Sequence, residues 1–371
     1  AAYRGLQDTR TAIRFLRKSI VENQNPYGIS GDHIAVGGLG TGGYISLATA
    51  TLNDYTTELT LPKFIDSSTG FPYIVESISG NLDGTNTGIH PAIDFDGDGT
   101  PDATNFTLSL PNHSQYSSDI NMAFNVGGAL PDSSWINQGE VPLASMQCYL
   151  DEDAPYEVGD VIVPTTGEFV IEGHGSLVVQ RRCDELGNND VFNGLSMQIT
   201  DGWYTNGDGV ANSASQVQAL TAFGNPATDP VTGDPIWAFE PHPVYKGLFP
   251  IVAPRGDELG FGSAAPCLLP WKEQGAPWDW WNNDLNDQLS YPNLSYNSPI
   301  VNPGQTTPAA AYACNSTTGN PDMNPQKGWN FAVMIQEFMC PRIMAALDLN
   351  TSNIIENKSD KNLIKTIDIT G

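Results

Sequence analysis

The chain has 371 residues, 40% of them hydrophobic, enough for a sizeable core and for one decorated domain. Acids outnumber bases 42 to 16, a formal charge of −26, which disfavours nucleic acid and anionic membrane surfaces as partners. No run of eighteen apolar residues occurs, so no membrane-spanning helix is predicted.

Leu6, Ile13, Leu16 and Ile20 recur at helical spacing and predict an amphipathic helix, with Arg10, Arg14 and Arg17 on its other side. Asn25-Pro26-Tyr27-Gly28 breaks that helix, and Asp32-His33 leads into an apolar strand, Ile34 to Val36. The strand runs into a glycine cluster, Gly37-Gly38-Leu39-Gly40-Thr41-Gly42-Gly43, and then into an apolar run suited to a helix. In G-x-S-x-G enzymes a serine occupies a sharp, strained strand-to-helix turn. Gly38, Gly40 and Gly42 fill the first, third and fifth places of that pattern, so glycine stands where the nucleophile would be. A dinucleotide loop fits poorly, because no acidic residue about twenty positions on ends a second strand.

The helix, strand and glycine turn together resemble the helix–strand–elbow passage of α/β-hydrolases of the esterase and lipase type, with a degenerate nucleophile elbow at 37–43. The resemblance implies an α/β fold: a mainly parallel sheet with flanking helices, a calcium-loop insertion and a loop-rich cap. That family places several strands before the elbow, and only about 33 residues precede it here. Either a further polypeptide or segment completes the sheet, or the sheet is a reduced one.

Asp94-Phe-Asp-Gly-Asp-Gly-Thr-Pro-Asp102 is the strongest metal signal. Asp94, Asp96 and Asp98 at places one, three and five converge on one cation, Gly99 allows the bend, and Asp102 adds an oxygen. Asn105 stands where the bidentate glutamate would be, so the loop is a partial EF-hand, similar to the calcium loops of thrombospondin-type and dockerin-like repeats. Hard oxygen donors favour calcium, in a structural role; a solvated acidic turn is the plain alternative. Met122 to Val126 follows as a core strand.

Val141 to Leu150 reads as a buried strand, followed by Asp151-Glu-Asp-Ala-Pro-Tyr156. The hydrolase resemblance carries the acid role to Asp151, with Asp153 second. Glu168 to Glu172 predicts the next strand, ending in Gly173-His174-Gly175, where the family keeps its base. The implied triad is residue 40, Asp151 and His174, with the backbone N–H of Thr41 in the oxyanion hole. Turn-forming roles for Asp151 and His174 remain open. So does the origin of Gly40, whether a natural pseudoenzyme or a serine esterase whose Ser was replaced; Leu39 and Thr41 also depart from the usual neighbours, which favours drift.

Between about 200 and 325, Gly, Pro, Asn, Ser and Thr predict long ordered loops. Trp271, Trp278, Trp280 and Trp281 fall within eleven residues there. Their rings could clamp a ligand or sugar as a cap, Trp278, Trp280 and Trp281 foremost, or pin the loop to the core. The five cysteines show no C-x-x-C pair; Cys148 and Cys340 read as core thiols, and Cys267 with Cys314 as a disulfide in an exported chain. Phe331, Met334, Ile335, Phe338 and Met339 predict a core helix over 330–340, ended by Pro341. Lys361 to Gly371 resembles the start of the Bacteroidetes type IX secretion sorting signal, which implies an extracellular or outer-membrane-surface location.

The expected organisation is a hydrolase core over 1–200 with an insertion at about 52–120, a cap over 201–325, a terminal helix over 326–350 and a sorting segment over 351–371. The expected function is a secreted pseudoenzyme serving as a binding or structural surface component, with homo-oligomer or cell-surface assembly open. A carboxylic-ester hydrolase with Ser at 40 is the first alternative, and a glycan-binding surface protein the second.

Overall fold

Helix α1 (Ala2–Glu22) buries Leu6 and Ile13 as its periodicity predicts, but Arg10 and Arg14 are buried too. Each guanidinium is spent on backbone carbonyls. Arg10 donates to the carbonyls of Leu52 (2.6 Å) and Thr49 (3.3 Å), and Arg14 to those of Asn112 (3.0 Å) and Leu82 (3.1 Å). The arginine side of α1 is thus the seat of the insertion rather than a solvated face, and a delocalised fork suits that burial.

The computed structural model describes residues 2–151, 153–162, 169–195, 228–234, 245–251, 253, 255–257, 260, 271–280 and 316–349. Trp281, Cys267, Cys314 and the tail 361–371 lie outside the described residues.

Strand β1 (Ala35–Leu39) leads into α2 (Thr41–Thr51). Two short helices, α3 (Tyr55–Glu58) and α4 (Glu76–Ser79), and an antiparallel pair, β2 (Gly88–Ile93) with β3 (Ala103–Ser109), follow in the insertion. Then come β4 (Met122–Val126), β5 (Leu143–Cys148), β6 (Val158–Ile162), β7 (Phe169–His174) and α5 (Ser176–Leu186). Strand β8 (Leu248–Ile251) and helix α6 (Pro325–Ala346) close the described core.

Among the described residues, the central sheet has four parallel strands in the order β1-β4-β5-β8. Helices flank it, so the fold is α/β with a mainly parallel sheet. β4, β5 and β8 are almost wholly buried, as parallel strands covered on both faces are. β1 is an outer strand with Gly37 and Leu39 exposed. No helix among the described residues is long and apolar enough to cross a membrane.

Two expectations are corrected here. The strand beside β5 is β8, inside the stretch expected to be cap, whereas β7 pairs along its length with β6, antiparallel, in a separate two-stranded sheet, and touches the loop after β4 through a single bridge, His174 to Leu130. Pro250 conceals β8 from a sequence reading, since proline is tolerated in a sheet chiefly at an outer strand. Helix α6 also runs through Pro341 to Ala346. An interior proline costs about 3 kcal/mol, but burying Phe338 and Met339 just before it contributes about 1.5–3 kcal/mol each. Cys148 and Cys183 are buried free thiols, while Cys340 is exposed rather than in the core.

Candidate functional site at the β1–α2 corner

Gly40 is the N-cap of α2, with φ 50° and ψ −118°, a backbone conformation that L side chains adopt only under strain. Its N–H donates to the Val126 carbonyl at 2.8 Å, which ties the corner to the end of β4. Its own carbonyl accepts from Gly43 N at 2.8 Å and starts the helix. The neighbouring glycines are demanded by packing. A Cβ on Gly37 would lie 2.0 Å from the Phe124 ring, on Gly38 2.2 Å from the Gly42 carbonyl carbon, and on Gly43 2.3 Å from Asn125 Oδ1. Gly40 and Gly42 differ, because nothing among the described residues stands within 4 Å of a Cβ built there. At residue 40, glycine answers a torsion and not a steric wall.

Asp151 follows β5 directly. Its Oδ1 accepts from the N–H groups of Asp153 (2.9 Å) and Ala154 (3.1 Å), so the carboxyl forms its own turn. Burial pushes its pKa up to about 7, against the pull of those two amides. Gly127 and Gly275 flank it: a Cβ on Gly127 would be 3.7 Å from Oδ2, and one on Gly275 2.8 Å from Oδ1. Gly128 abuts the Gly40 carbonyl, so the Gly127–Gly128 pair joins the corner to the acid. Tyr44, on the first turn of α2, has a buried hydroxyl that meets no hydrogen-bond partner among the described residues. Burial raises the Tyr44 pKa, and the charges of Asp151 and Asp153 raise it further. Thr41 opens α2, where helix amides have no intrahelical acceptor, and its side chain is exposed.

His174 is engaged elsewhere. Its Nδ1 accepts from the Ser133 backbone N–H at 3.0 Å and lies 2.8 Å from Ser133 Oγ. An amide N–H can only donate, so Nδ1 carries no proton and the neutral ring is the Nε2–H tautomer. A triad base needs the opposite arrangement, with Nδ1–H donated to a carboxylate. Residue 40 and Asp151 thus share the Gly127–Gly128 turn as a neighbour, while His174 is engaged by Ser133. The physical reason is its place at the end of the β6–β7 hairpin rather than of a central strand. At the end of β8 the described residues Ala253, Arg255, Gly256 and Asp257 include no histidine; Arg255 pairs there with Asp257 and Glu273.

No family model, curated protein or solved structure matches this chain.

Of the two readings of the tryptophan loop, clamp or pin, Trp278 takes the second. Trp278 is 7% exposed, packs edge-on against Phe331 (centroids 6.3 Å) and lies over Gly127, so its indole belongs to the core. Trp280 is 56% exposed and rests on Gly328. Their loop is held to α6 by Lys327, whose buried ammonium donates to Gln274, Asn320 and Asp322.

One group of residues escaped the sequence reading. Asn125 is fully buried and donates through Nδ2 to the Gly128 carbonyl and Ser176 Oγ, both at 3.0 Å. Ser145 Oγ accepts from Gln180, and Gln147 donates to the Ala154 (2.7 Å) and Pro155 (2.9 Å) carbonyls. Polar residues interrupting apolar strands were the available signal, since buried polar groups require partners. This network shapes the loops that carry Gly128 and Asp151.

The acidic loop joins β2 to β3 and is exposed. Carboxyl oxygens of Asp94, Asp96 and Asp102 lie within 4.8 Å of one another and could hold a metal ion. Asp98 stands apart from that group, and its Oδ1 accepts from Thr100 N. Amides of Gly99 and Gly97 hold the Asp94 carboxyl below the usual carboxylate range.

Proposed function

We propose that the chain is a pseudoenzyme of esterase-type architecture, which binds at its β1–α2 corner without hydrolysing. The observation that carries this reading is Gly40: an elbow-like torsion at a strand-to-helix corner, open above, with no side chain to attack. The Ser133 engagement of His174 supports it, because the remaining acid–base relay is not paired. A serine esterase whose residue 40 was replaced is the second reading, favoured by the free space a serine side chain would find. Incubation with p-nitrophenyl acetate tests the proposal. No turnover above buffer is expected, and saturable turnover by the chain as it stands overturns it.

The Asp94, Asp96 and Asp102 group is assigned to calcium in a structural role, on the grounds of hard oxygen donors and an exposed, multidentate loop. An extracellular or cell-surface location fits the sorting-signal resemblance of 361–371. The outer edge of β1 is where a strand of a further polypeptide would continue the sheet, and a charge of −26 works against self-association there.

A further inference from the structure

The backbone of His174 forms an isolated two-way bridge with Leu130: His174 N donates to the Leu130 carbonyl at 2.7 Å, and Leu130 N returns a bond of 2.8 Å. The ring continues the same clasp three residues on, through Ser133 N. The clasped turn is tied on its far side to the insertion. Lys63 Nζ donates to the Pro131 carbonyl (2.8 Å) and pairs with Asp132 (3.1 Å), and Trp135 Nε1 donates to the Glu58 carbonyl (3.1 Å). The imidazole thus joins the hairpin to the turn after β4, and that turn is itself tied to the insertion.

We propose that His174 is a proton-operated latch: unprotonated at Nδ1 it holds the Ser133 amide against the β6–β7 hairpin, and its protonation releases that amide. With a proton already on Nε2, the next one must enter at Nδ1. That turns the acceptor into a donor facing the Ser133 N–H, and two donors cannot share a bond. Ser133 Oγ can rotate to accept from the new N–H, but the backbone amide, which defines the turn, is left unpaired. The latch rests on this geometry and not on the proposed function of the corner.

The surrounding charges act in both directions. Asp132 and Glu172 favour the imidazolium, and Lys63 opposes it. Glu157 and Asp160 lie on or beside the paired strand, around Val158, the residue opposite His174. Burial of the ring outweighs these and lowers its pKa, so the latch is closed at neutral pH and opens on acidification.

Amide hydrogen exchange of Ser133 between pH 8 and pH 5, corrected for intrinsic rates, tests the latch in the full chain and in His174→Asn, with the Leu130 amide, bonded to a backbone carbonyl, as the internal control. Asparagine offers an amide oxygen near the position of Nδ1, an acceptor that does not titrate. Protection of that amide in the wild type should fall by up to about tenfold per pH unit as pH drops from the ordinary imidazole value towards the lowered value of the folded ring, and level off below it, while His174→Asn should stay constant. Constant protection in the wild type, or an equal fall in the variant, overturns the proposal. The wild-type ring settles it independently should the variant fail to fold. Imidazole nitrogen shifts at pH 8 should report the Nε2–H tautomer, and an Nδ1–H tautomer there contradicts the latch.

Discussion

Gly127 lies directly beneath the indole of Trp278, where a Cβ on the glycine would stand 2.7 Å from Cζ2. Its φ of +68° is also left-handed, so alanine meets both strain and overlap. Gly127→Ala should destabilise by about 2–4 kcal/mol, and Trp278→Ala by about 3–5 kcal/mol. Urea midpoints check both. A Trp278→Ala midpoint equal to that of the wild type would return this indole to the role of a ligand clamp.

Asp151 makes stability depend on pH with a definite sign. Its folded pKa of about 7 lies above the ordinary 3.8, so the folded chain holds a proton that the unfolded chain releases. The contribution is fully present below about pH 4 and is lost as pH rises from about 4 to about 7. Asp151→Asn keeps an oxygen for the Asp153 and Ala154 amides and removes the titration. It should be more stable than the wild type at pH 8 by about 1–3 kcal/mol, with the gap closing near pH 4. Denaturation curves at the two pH values decide, and an equal gap at both contradicts a raised pKa.

The acidic loop predicts a calcium-dependent melting temperature. At ten times its dissociation constant a ligand that binds only the folded state adds about 1.4 kcal/mol. Weak extracellular calcium sites are near saturation at about 10 mM calcium. Asp96→Asn should abolish the rise, as should a chelator. Melting that is indifferent to calcium and chelator alike argues for a solvated acidic turn.

Lys327 is 2% exposed and clips the tryptophan loop to α6. Burial lowers its pKa and the Asp322 charge opposes that, so the ammonium is retained by its partners. Lys327→Ala removes the buried donor that bridges Gln274, Asn320 and Asp322 and should cost about 2–3 kcal/mol. Limited proteolysis should then cut first within 271–280; cutting elsewhere first would show that the clip does not hold this loop.

Periodicity and punctuation reveal the local elements well. Helical spacing of Leu6 and Ile13, the glycine break after Val36 and the apolar run from Met122 to Val126 all correspond to observed elements. Sheet membership is a different matter. Phe169 to His174 and Leu248 to Ile251 are both short apolar runs, and only tertiary pairing sends one to a hairpin and the other to the central sheet. The misassigned partner of His174 follows from that ambiguity. Arg10 and Arg14 mislead for a related reason: helical spacing reports which face carries charge, and the carbonyls that accept it come from residues 49 to 112. Gly40 was readable because a turn motif is local, and Asn125 was not because its partners are distant in sequence.

The most direct measurement is ester hydrolysis by Gly40→Ser, assayed with p-nitrophenyl acetate beside the wild type and the double variant Gly40→Ser, His174→Asn. With Nδ1 of His174 accepting from Ser133, the restored hydroxyl has no paired base, and all three proteins should stay at the buffer rate. Turnover in Gly40→Ser that disappears in the double variant would contradict the account, for it would show an acid–base relay intact behind residue 40.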